Sequence, residues 1–115
     1  MKHWIEQASA LTPEFFHTFG TWFNVDTIDL GDPEAVRSSA GACASDLARQ
    51  VTDVERLKAE LRRASAQLDG PVIDRFERAT DADWRFDAET EQTLRTIIDQ
   101  LVEELEFQQR RALRR

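Results

Sequence analysis

Cysteine is almost missing from this chain of 115 residues, where Cys43 stands alone. An intrachain disulfide and a cysteine-based metal cluster are therefore excluded, and a reducing compartment fits. Histidine is nearly as scarce, with only His3 and His17. His17 closes a single Glu-x-x-His with Glu14 and His3 closes none, whereas carboxylate-bridged di-metal bundles require such a pair from each of two helices. The four glycines, Gly20, Gly31, Gly41 and Gly70, are isolated, so no glycine-rich phosphate loop can be written. No apolar run approaches the roughly 18–20 residues of a membrane-spanning helix. The opening MKHWIEQASA contains acid and lacks an apolar core, so a signal peptide is not expected and a cytoplasmic protein is.

Basic charge is short as well. The net charge is −7, and residues 1–34 carry six acids against Lys2 alone. Without a basic stripe, binding to nucleic acid or to an anionic membrane is not expected. The local exception is the run from Arg110 to Arg115, which suits the negative end of a helix dipole. Leu, Ile, Val and Phe make up about a quarter of the residues, above the roughly 20% below which disorder is the default. One domain spanning 1–115 is expected, with a thin core that oligomerisation would enlarge.

Helical periodicity dominates what is present. Between Ser45 and Gly70, Leu47, Val51, Val54, Leu57, Leu61, Ala64 and Leu68 recur at steps of three and four. Gly70 suits the left-handed position after a helix end, and Pro71 cannot continue the same helix. Upstream, Val36, Ala40 and Cys43 extend the stripe, and Asp32-Pro33-Glu34 is helix-start chemistry. A single rod over 33–69 is predicted, about 55 Å long at 1.5 Å per residue. The small residues from Ser38 to Ser45 are its weak point and also a surface on which another helix can lie closely. A second long helix is predicted over 88–113, capped by Asp87, with Leu94, Ile98, Leu101 and Leu105 on its seam.

Shorter elements complete the pattern. Trp4, Ile5, Ala8 and Leu11 mark a helix over 2–11, and Val72, Ile73, Phe76 and Ala79 another over 71–79. Thr12-Pro13-Glu14 starts a helix over 13–23. Trp84 and Phe86 lie in an extended connection from Thr80 to Asp87. The fold class is all-α, a helical bundle with two long amphipathic helices. Seams sustained over that length favour a homodimer with coiled-coil packing.

Candidate sites are few. Phe15, Phe16, Phe19, Trp22 and Phe23 form a wide aromatic face on 13–23, read as the partner-binding surface of an interaction module. Glu103 and Glu106 have a metal-carboxylate spacing but lack matching ligands elsewhere, so no metal and no cofactor is expected. Asp81, Asp83, Asp87 and Glu89 fail as a calcium loop, because Arg85, Phe86 and Gln92 occupy positions that need an oxygen ligand, a glycine and a glutamate. Cys43 lies on the apolar stripe, where a thiol is inert. His17 falls on the polar side of its helix. A non-enzymatic adaptor, assembly factor or small chaperone that binds another protein as a helical dimer is the expected function. Two alternatives are an acidic inhibitor imitating nucleic acid and a small all-α enzyme using the carboxylates of the last helix.

Overall fold

The computed structural model describes residues 10–81 and 88–113, with side chains of the second stretch described from 91 to 111. Five helices run through these residues: α1 (Pro13–Phe23), α2 (Pro33–Gln50), α3 (Val54–Ala66), α4 (Gly70–Thr80) and α5 (Ala88–Leu113). The all-α reading holds, and no strand occurs among the described residues. Most of the helix expected over 2–11, the aromatic connection with Trp84 and Phe86, the Asp87 cap and most of the calcium-like run lie outside them, while Ala10 and Leu11 are described and are not helical. No helix among the described residues is long and apolar enough to cross a membrane.

Local chemistry accounts for the helix starts. Thr12 accepts a hydrogen bond from the Phe15 amide at 3.1 Å, with Pro13 in the first turn. Asp32, Asp53 and Asp69 do the same for α2, α3 and α4, accepting from the amides of Glu34, Arg56 and Val72.

Two expectations about the helix ends are corrected. The rod over 33–69 is two helices, interrupted at Val51, Thr52 and Asp53. The small-residue run stays helical, and the break falls later, where two β-branched residues precede an aspartate whose carboxylate competes for backbone amides. Packing on α5 shows why the break is needed. Pro33 and Arg37 lie level with Gln92 and Gln100, and Gly41 lies against Glu104, so α2 runs parallel to α5. Arg62 pairs with Glu106 while Ser65 donates to Asp99, so α3 runs antiparallel to the same helix. A straight rod would carry α3 beyond the end of α5 and leave Leu57, Leu61 and Ala64 without cover. The kink folds that stripe back, and all three are fully buried.

The second correction concerns Gly70. No glycine has a positive φ, and Gly70 is the first residue of α4 rather than the left-handed stop of α3. Pro71 does not continue α3 and stands in the first turn of α4, in keeping with the helix expected over 71–79. Among the described residues the left-handed one is Asp81, with φ 56° and ψ 24°, at the end of α4.

The core joins the phenylalanines of α1 to Phe76 of α4 and to the stripes of α2, α3 and α5. The stripes that suggested a dimer are thus met within one chain. The radius of gyration, 13.4 Å, is that of a compact chain of this length, about 13 Å.

Candidate functional site

α1 and α4 lie side by side and point the same way. Phe16 packs on Phe76 with ring centres 5.2 Å apart, and the Val25 amide donates to the Thr80 carbonyl at 3.0 Å. Between these contacts Gly20 meets Ala79. A Cβ on Gly20 would stand 2.1 Å from the Ala79 carbonyl oxygen, so only glycine lets the two backbones come this close. Their outer faces enclose an open groove of about 540 Å³. Phe16, Gly20 and Ala79 supply its apolar floor, and His17, Arg75 and Arg78 supply polar groups along it.

Arg75 is the unusual member. Its guanidinium carbon sits 4.8 Å from the centre of the Phe16 ring, a cation–π geometry. Its Nε is buried and has no hydrogen-bond acceptor. Several arginines of the fold reach a carboxylate: Arg56 pairs with Glu60, Arg62 with Glu106, Arg78 with Asp74 and Arg95 with Glu91. The reason is in the helix register. Arg78 has Asp74 four residues earlier, whereas positions three and four away from Arg75 hold Pro71, Val72, Arg78 and Ala79. No acid lines the groove among the described residues. Among the described residues Arg75 has no carboxylate partner, and its covered Nε sets it apart from the exposed and equally unpaired Arg37, Arg110 and Arg111.

The sequence-predicted aromatic face lies elsewhere than expected. Phe15, Phe19 and Phe23 are at most 1% exposed and Phe16 is 8% exposed, so these rings are core rather than an open docking face. Phe76 is the reason, since its edge meets Phe15, Phe16 and Phe19 at centre distances of 6.3, 5.2 and 5.0 Å. Trp22 is half-buried and pinned by its indole N–H to Asp46 of α2 at 2.8 Å. Phe16 alone among the five lines the groove. Arg75 and Arg78 escaped the sequence reading because α4 reads as an ordinary charged surface helix. The available signal was the absence of an acid at helical spacing from Arg75.

The other candidates separate. Glu106 is engaged by Arg62, Glu104 lies against Gly41 of α2, and Glu103 is exposed. His17 is exposed, as its helical position indicates. Cys43 is fully buried, and its thiol is pushed from an ordinary value of 9.0 up to about 12, by burial first and by the nearby Asp46 charge second. The folded thiol binds its proton more tightly than the unfolded one. Stability is therefore indifferent to Cys43 below about pH 9 and falls as pH rises towards 12, by up to roughly 1 kcal/mol per pH unit. At pH 8 a thiol reagent is expected to label Cys43 at least 100-fold more slowly in native buffer than in urea. Equal rates would show the thiol to be accessible.

No family model, curated protein or solved structure matches this chain.

Proposed function

We propose that this chain is a non-enzymatic interaction module, a small helical adaptor whose protein partner lies along the groove between α1 and α4. The observation that carries this reading is the Arg75 guanidinium, held over Phe16 beside an open groove that no acid lines among the described residues. Dimensions support it. The groove follows α1 from Pro13 to Asn24, about 16 Å at 1.5 Å per residue, which matches roughly five residues of extended chain. Its floor belongs to two helices that share a buried aromatic cluster, so the surface is held in place before a partner arrives. The stripes of α2, α3 and α5 are closed within one chain, and the reading needs no second copy.

A photo-crosslinking side chain at Thr21, exposed in the groove, tests this against the same group at Glu103, exposed on α5. In lysate of the source cells one protein is expected to be trapped stoichiometrically from position 21 and not from 103. Capture from 103 alone, or equal capture from both, would place the docking surface elsewhere.

A further inference from the structure

Resting on the groove reading, we infer that the segment received there is acidic, with one side-chain carboxylate held by Arg75 above Phe16. The groove's own polar groups narrow the choice. The Thr21 hydroxyl donates to the His17 carbonyl at 2.9 Å, and the Asn24 amide donates to Asp81 at 3.2 Å. Arg78 is already neutralised by Asp74 at 2.7 Å. Arg75 has no carboxylate partner among the described residues; its Nε is covered, and its terminal nitrogens are the cationic donors left to a ligand, beside the exposed His17 ring.

Charge count selects the class of anion. Arg75, Arg78 and Asp74 sum to a single uncompensated positive charge, which one carboxylate cancels and a phosphate dianion overshoots. A polyphosphate backbone would also meet the repulsion of a chain carrying −7 overall. Phe16 adds orientation. The ring holds the guanidinium carbon 4.8 Å above its centre, and the two terminal nitrogens, which are not covered, can grip a carboxylate through two parallel hydrogen bonds. The partner is thus an extended protein segment with one Asp or Glu flanked by apolar residues, the latter meeting Gly20 and Ala79 on the floor.

Amide-detected NMR of the whole chain tests this, because the Arg75 Nε–H gives its own signal. The probe is the end-blocked peptide Ala-Leu-Glu-Leu-Ala, compared with its Gln version and with inorganic phosphate. The Glu peptide is expected to shift the Arg75 Nε–H and the amides of α1 and α4. Affinity should fall at least tenfold for the Gln peptide and for Arg75→Gln, and partly for Arg75→Lys, which keeps the charge and loses the fork. Unchanged amide signals outside the groove establish that the variants are folded. Equal binding of the Glu and Gln peptides in the groove would overturn the acidic preference and leave the docking surface standing. Phosphate displacing the Glu peptide from Arg75 would overturn the carboxylate in favour of a phosphorylated ligand. Silence of the groove towards all three probes would overturn the inference, while the Thr21 crosslink separately decides whether a partner lies there.

Discussion

Phe76→Ala is expected to destabilise the protein by about 3–5 kcal/mol, the range for emptying a buried aromatic site. Phe76 is fully buried, and its ring makes edge contacts with Phe16 and Phe19 at 5.2 and 5.0 Å and a longer one with Phe15 at 6.3 Å. Such pairs add about 0.5–1.5 kcal/mol each beyond the area they bury. No single neighbour can relax into the space, because the rings of α1 are held by one another, with Phe19 and Phe23 stacked at 4.7 Å. Against a total stability of about 5–15 kcal/mol, this loss leaves the fold marginal. Urea unfolding followed by circular dichroism measures it, with Phe107→Ala as the comparison. Phe107 is 47% exposed on α5, and its truncation should stay within about 0.5 kcal/mol. A loss below 1 kcal/mol at Phe76 would mean that α4 is not packed on α1 by this ring. The same reasoning predicts that replacing Phe15 and Phe19 with polar residues unfolds the protein rather than selectively removing partner capture.

Gly20→Ala is the second large effect, and its sign is the informative part. In an exposed helix interior this exchange stabilises by about 1 kcal/mol, since alanine is the better helix former. Here the new methyl carbon would stand 2.1 Å from the Ala79 carbonyl oxygen and 3.0 Å from its carbonyl carbon. Both are backbone atoms of a helix and cannot rotate away. α1 and α4 must separate by about 1 Å to restore ordinary contact, loosening the Phe16–Phe76 pair and the Val25–Thr80 hydrogen bond. The expected net cost is about 2–3 kcal/mol, within the range for overpacking. Gly70→Ala is the control, since nothing lies within 4 Å of a Cβ there and its φ is not positive. Thermal unfolding should place Gly20→Ala several degrees below the parent and Gly70→Ala level with it or above. A more stable Gly20→Ala protein would mean that the two helices do not touch at this point. Because the groove is the outer surface of that contact, the same substitution should also weaken binding of the acidic peptide.

Much of the helical framework was legible in the chain. Thr12-Pro13-Glu14 and Asp32-Pro33-Glu34 mark the starts of α1 and α2, and the four-three spacing from Leu94 to Leu105 marks α5. These signals work because an N-cap acts on amides two or three residues ahead and a stripe shows its period within three turns. Both are local, and both survive without knowing what the helix packs against. The interruption at 51–53 was less legible. The stripe from Leu47 to Leu68 runs through it without a missed step, and only the weak helix formers Val51, Thr52 and Asp53 hint at a stop.

What tertiary structure alone decided is which faces meet. Periodicity shows that Phe15, Phe16, Phe19 and Phe23 share a side of α1, but whether that side is core or open depends on Phe76, over fifty residues away in the chain. The direction of α3 against α5 required the kink at 51–53 to fold one stripe back over another. Arg75 acquires its standing in the same way. Its lack of an acid at helical spacing is written in the sequence, while its place above Phe16 and beside a groove exists only because Gly20 lets α1 and α4 touch. Local hydrogen-bonding and spacing rules reach across a few residues, whereas burial and charge compensation are settled between elements that the chain brings together last.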